Sequence, residues 1–187
     1  MAATILLRRW TGPSGSIVKT DITGINTEHV TEDAHYTTGG TNPIPIPSAG
    51  TNYGFWVTVG LNAATSPAGT INNLRFYTDG VNSSPSGVTW LCQNANVGAD
   101  SGYRLASGTV GVTGTQLTTG NHSGLTGAPV DPFTFTAGSP LSLGGSIVNP
   151  NIGDFGDLVV TQLVVASSAT ATGVITTETM TYQWDET

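Results

Sequence analysis

The residues able to do chemistry are few, and they gather in two places. Glu28-His29-Val30-Thr31-Glu32-Asp33-Ala34-His35 sets two imidazoles and three carboxylates within one short stretch. Imidazole and carboxylate are competent ligands for a divalent ion such as zinc, so His29 and His35 are candidate metal ligands. Their spacing matches no zinc motif. On a short helix Glu28 and Glu32 share a face while Asp33 falls near His29, and a solvated helical turn or polar loop is the plainer expectation. The second place is Asn149-Pro150-Asn151-Ile152-Gly153-Asp154-Phe155-Gly156-Asp157. Its oxygens make Asp154 and Asp157 candidate calcium ligands, but calcium takes roughly six to eight oxygens and the EF-hand order is absent. A tight turn feeding a strand, with Asp and Asn bonding their own backbone, is the default expectation. No cofactor is expected.

Nucleophilic chemistry finds little support. Cys92 is the single cysteine, so no intrachain disulfide can form, and its setting in Val88-Thr89-Trp90-Leu91-Cys92 suits a small buried hydrophobe. The chain has no Gly-x-Ser-x-Gly elbow. Its single lysine, Lys19, lacks the neighbours of a phosphate loop. A Ser-His-Asp set can always be assembled from a chain this rich in Ser and Thr, so its availability carries no information. Paired carboxylates of the glycosidase kind sit in no motif. The chain is expected not to be an enzyme.

The elements that would position these residues follow from composition. Of 187 residues, 5 are Lys or Arg and 12 are Asp or Glu, so 9% are charged, against about 25% in ordinary soluble domains. Thr (31) and Gly (25) dominate instead. A helical bundle needs Leu, Glu and Lys in bulk, and a disordered chain needs high charge with few apolar residues; neither fits. The net charge of −7, with basic residues scattered apart from Arg8 and Arg9, argues against nucleic acid as a partner. Arg8, Arg9 and Trp10 read as the wet end of a first strand. No apolar stretch approaches about 18 residues, and Met1-Ala2-Ala3 has no leader pattern, so neither a membrane partner nor a secretory leader is expected.

Thr, Val and Ile fill the unbroken segments, and Gly, Pro, Ser and Asn punctuate them, as strands and turns do. In 53–61, Tyr53, Phe55, Val57, Val59 and Leu61 are expected on one face, with Gly54, Trp56, Thr58 and Gly60 opposite. Segment 71–78 alternates likewise. Segment 157–166 is apolar on both faces, which fits a sheet centre or a subunit contact. In 173–185, Val174, Met180, Tyr182 and Trp184 oppose a ladder of Thr. Shorter candidate strands are 3–10, 16–23, 88–92, 103–112, 132–136 and 141–148. The expected fold is all-β: a single domain over 1–187, a two-sheet antiparallel β-sandwich, jelly-roll-like, with long irregular loops. Two stretches, 24–52 and 93–131, are long enough to be functional or partner-ordered. The first holds the only plausible helical turn, 27–36, and Pro43-Ile44-Pro45-Ile46-Pro47, which must be extended.

Three stretches together resemble small structural proteins of tailed bacteriophages. They are Gly69-Thr70-Ile71-Asn72-Asn73-Leu74-Arg75-Phe76-Tyr77-Thr78-Asp79-Gly80, Gly153-Asp154-Phe155-Gly156-Asp157-Leu158-Val159-Val160, and Glu178-Thr179-Met180-Thr181-Tyr182-Gln183-Trp184-Asp185-Glu186. The resemblance covers the central and C-terminal strands and leaves 93–131 aside. It implies a capsid decoration (cement) protein, or another head or tail accessory, on the outer capsid surface of a virion. Such proteins are homo-oligomers, often trimers, that bridge subunits of the major capsid protein. The residues expected at partner or oligomer contacts are Trp10, Ile44, Ile46, Leu163, Val165, Tyr182 and Trp184, with the first segment and 42–47 as partner-ordered arms. Two other classes stay open. One is a tail-fibre or receptor module binding a host-surface glycan, with Tyr36 and Tyr103 as stacking residues in loops. The other is a small-virus jelly-roll capsid protein, to which the missing basic arm is the main objection.

Overall fold

The computed structural model describes residues 2–37, 39–96, 102–170 and 173–187. The chain is nearly all β, in antiparallel sheets. Among the described residues twelve strands run in the order β1 (Ile5–Thr11), β2 (Val18–Asp21), β3 (Thr51–Tyr53), β4 (Val57–Ala63), β5 (Thr70–Tyr77), β6 (Val88–Ala95), β7 (Gly108–Thr109), β8 (Thr113–Gly114), β9 (Leu141–Leu143), β10 (Ile147–Val148), β11 (Gly153–Ala166) and β12 (Thr181–Glu186). A six-stranded sheet holds β2, β1, β4, β11, β3 and β6. Its centre is β11, whose Val159 pairs with Val59 of β4 on one side and Asn94 of β6 on the other. A four-stranded sheet joins β5 to β9, β10 and β12, and β7 and β8 form a separate small hairpin.

Register sorts the larger sheet into two faces. Arg9 pairs with Val59, Val59 with Val159 and Val159 with Asn94, so these four share one face. The next row, Trp10, Thr58, Val160 and Gln93, lies on the other. On the Arg9 face, Leu61, Phe155, Val159 and Cys92 join Ile71, Leu74, Phe76, Leu143 and Ile147 of the smaller sheet in one core. On the Trp10 face, Leu158, Val160 and Ala95 pack with Trp56, Tyr103, Ala106 and Leu117. Both faces of β11 are therefore covered, and its double-sided apolarity is that of a sheet centre.

The two long stretches provide much of this cover. Residues 103–117 lie over the Trp10 face, held by Gln162. Its side-chain amide donates to Gly54 O and Thr115 O at 2.7 and 2.8 Å, and its oxygen accepts from Leu117 N at 2.7 Å. Residues 22–30 extend the cover on the Arg9 face, where Ile22 packs on Val57 and Val59. The first segment, read as a possible arm, is an interior strand between β2 and β4.

Several sequence expectations change. No helical turn forms over 27–36, because Glu28 and Glu32 spend their carboxylates on backbone and side-chain donors of 36–42 rather than on a helix surface. Phe55 and Trp56, placed on opposite faces by strict alternation, sit in the same core, since strand structure is interrupted at 54–56, between β3 and β4. Segment 103–112 is cover rather than strand up to the two-residue β7, and 132–136 contains a 3-10 turn, Pro132–Thr134, capped by Asp131. Segment 141–148 is split into β9 and β10 by Gly144 and Gly145. Residues 173–180 are not strand. The strand expected from 157 begins at Gly153 and bulges between Phe155 and Val159. Gly156 sits in that bulge at φ +73°, and a Cβ there would lie 2.3 Å from Leu74 Cδ1.

Candidate functional site

Ionisable groups converge where β1 meets the 24–36 segment, around Arg9. Arg9 was expected at a wet strand end; it is 1% exposed, because its row faces inward and 22–30 lies across it. Its Nη1 donates to Thr27 Oγ1 at 2.7 Å and to Glu28 O at 3.1 Å, while Nε has no partner within the protein. Burial pulls the guanidinium down to about 10, opposed by Asp33 and Tyr103. Asp33 Oδ2 accepts from Gly12 N at 2.5 Å, and Tyr103 Oη donates to Gly12 O at 2.9 Å. The β1–β2 turn is thus held at Gly12 by both side chains. Burial raises the Asp33 carboxyl, against the Gly12 N–H and Arg9. Burial, then Asp33, raises the Tyr103 hydroxyl.

His29 projects into the same region. Its ring meets Trp90 edge-on at 4.9 Å, Nε2 lies 3.3 Å from Thr161 Oγ1, and Nδ1 is shielded without a partner. Burial, then the Arg9 charge, pushes its pKa down to about 3, so the ring is neutral at pH 7. His35 Nδ1 lies 3.4 Å from Thr27 Oγ1, and burial and Arg9 lower its pKa too. Among the described residues no carboxylate hydrogen-bonds His29, and its hydroxyl neighbour Thr161 is 5% exposed. A general base must reach the proton it abstracts in a plausible substrate pose. The arrangement instead ties the 24–36 segment to the sheet.

The third imidazole, His122, was not among the candidate site residues. His122 is fully buried under the 103–125 cover, edge-on to Trp56 at 5.3 Å, with neither ring nitrogen partnered within the protein. Burial drives its pKa down to about 4, with Arg104 adding to the effect. No sequence pattern marks it, since the Gly- and Thr-rich context of Asn121-His122-Ser123 reads as solvated loop. Cys92 is buried and its thiol is pushed well up by burial, which removes the thiolate that a nucleophile needs.

The four candidate metal ligands are not brought together. His29 and His35 have the partners just given. Asp154 takes Lys19 at 3.0 Å, Asn62 at 2.7 Å and Arg8 at 3.8 Å. Asp157 accepts from Asn94 and Gly144 N at 2.7 and 2.8 Å, closing the bulge onto β6 and the β9–β10 link. Among the described residues no group of three His, Cys, Asp or Glu could hold a metal ion.

The carboxylates have a common use. Eleven of the twelve are described, and each accepts a hydrogen bond. Many tie distant segments. Glu186 takes Ala3 N and Ala68 N, Glu178 takes Ser83 N, and Glu28 takes Gly39 N and Gly40 N.

Of the expected contact residues, Trp10, Leu163 and Val165 are buried in the chain's own cores, Ile44, Tyr182 and Trp184 are half-buried against them, and Ile46 is exposed. Tyr103, read as a loop aromatic for sugar stacking, is buried with its hydroxyl spent on Gly12; Tyr36 is half-buried and donates to Glu32. No protein-family model, no curated protein and no solved structure matches this chain.

Proposed function

We propose that this chain is a non-enzymatic virion component of a tailed bacteriophage: a two-sheet, jelly-roll-like sandwich that decorates the outer capsid surface and bridges neighbouring subunits of the major capsid protein. One observation carries the reading. Every described carboxylate is engaged in holding the fold, so its ionisable groups serve rigidity rather than turnover. A cement protein needs no chemistry; it needs a stiff body with little side-chain entropy left to lose on assembly. Thr and Gly in place of Lys and Glu provide that. The core shared between the larger and smaller sheets favours the sandwich description, and the acidic balance suits a particle's exterior better than a surface facing the genome.

The test is reconstitution. Purified chain added to phage shells stripped of accessory protein is expected to co-sediment with them, raise their melting temperature and appear by cryo-EM as density outside the shell at local symmetry axes. Density confined to the tail, or no binding to any particle, overturns the reading.

A further inference from the structure

The larger sheet gathers an amine, a carboxylate and a carboxamide on its Trp10 face. Register pairs Lys19 of β2 with Trp10, and Trp10 with Thr58 of β4. Further along β4 on the same face, Asn62 pairs with Asp154 of β11. The side chains close the remaining gap. Lys19 Nζ lies 3.0 Å from Asp154 Oδ2, and Asn62 Nδ2 donates to Asp154 Oδ1 at 2.7 Å. One carboxylate therefore holds the amine by one oxygen and the carboxamide by the other.

The surroundings turn the lysine across the sheet. Lys19 is the single lysine of the chain, and its ammonium stands 3.9 Å from the Trp10 ring centroid. The indole lies close over Gly60, where a Cβ would stand 3.1 Å from Trp10 Nε1. Arg8 Nη1, 3.8 Å from Asp154 Oδ1, is a second cation at the same carboxylate. Asn62 is 4% exposed, so bulk water, the competing nucleophile, is largely kept from its carboxamide.

We propose that Lys19 and Asn62 join covalently as a side-chain amide, with Asp154 as the proton shuttle. Asp154 takes a proton from the Lys19 ammonium and frees the nitrogen lone pair. That nitrogen attacks Asn62 Cγ, and the new C–N bond gives a tetrahedral intermediate. Asp154 passes its proton to Nδ2, the Cγ–Nδ2 bond breaks and ammonia leaves. A second proton from Nζ returns through Asp154 and departs with the ammonia as ammonium. Nothing is oxidised or reduced, and no co-reactant enters. A carboxylate bonded to both nucleophile and leaving group is placed for such transfer, and two groups fixed on one carboxylate react at an effective concentration that free groups do not reach. The amide ties β2, at the edge of the larger sheet, to β4 across β1. The step occurs once per chain and stands independently of the accessory reading.

Mass spectrometry of the full chain, purified and aged at neutral pH, tests it. The expected intact mass is lower than the sequence mass by one ammonia. Trypsin cuts after free lysine, so residues 10–75 should then stay in one piece, and chymotrypsin should release a branched peptide joining Lys19 to Asn62. Lys19→Arg keeps the charge without a primary amine, and Asp154→Ala removes the shuttle. Both are expected to keep the sequence mass, with circular dichroism showing that they fold. A wild type at full sequence mass overturns the inference. Ammonia loss that persists in either variant overturns it too, as does loss of water with a branch at Asp154, which marks direct condensation of the ion pair.

Discussion

Arg9 Nη1 donates to Thr27 Oγ1 at 2.7 Å inside the protein, joining an interior strand to a segment that has no regular structure of its own. A hydrogen bond to a charged group contributes about 1.5–3 kcal/mol. Thr27→Val is therefore expected to lower the unfolding free energy by about that amount, and Thr27→Ser to recover most of it. Urea denaturation with an unchanged m-value checks both.

Acid should weaken the fold before the carboxylates titrate. His29 and His122 are held neutral, with folded pKa values of about 3 and about 4 against an ordinary 6.5. Below pH 6.5 the unfolded chain takes up protons that the folded chain refuses, so stability is full above that pH and falls as pH drops toward 4. Urea midpoints from pH 7.5 down to 4 should show this slope, and His29→Gln should flatten it. A midpoint independent of pH over that window would contradict the buried, neutral assignment.

Gln162 is the peg for the 103–117 cover. Gln162→Leu leaves Leu117 N–H and two carbonyls without partners, and each stranded buried group costs about 1–3 kcal/mol. The variant is expected to exchange amide hydrogens faster across 103–118 while β1 and β4 keep their protection. Uniform acceleration over the whole chain would argue instead for global destabilisation.

Gly156 and Leu74 are coupled by space. Gly156→Ala forces a left-handed φ on alanine and drives its Cβ onto Leu74 Cδ1. A loss of more than about 1 kcal/mol is expected from the backbone term alone. Leu74→Ala on the same background should cost less than it does in wild type, an interaction energy that a double-mutant cycle measures.

The strand inventory was legible where period two holds. Val57, Val59 and Leu61 face one way as their spacing requires, and the two apolar faces of 157–166 place that segment at a sheet centre. Legibility failed at Phe55 and Trp56, where an interruption of the strand puts neighbours into one core, and at 27–36, where carboxylates turned to loop donors instead of a helix. Arg9 shows the same limit. Its sequence neighbourhood reads as a strand end, and its burial depends on a segment that folds back over it from 22–30.

The sequence by itself determined the class: many Thr and Gly with few charges leave sheet and loop, and few ionisable groups to place. These are sums over residues, insensitive to which residue meets which. Tertiary structure alone decided the uses of the few ionisable groups, because burial and hydrogen-bond partners come from segments far apart in the chain. His122 and Arg9 look solvated in the sequence and are sealed in the fold. The β7–β8 hairpin is held at Thr31 and Tyr53 only because segments distant in sequence are bonded side by side.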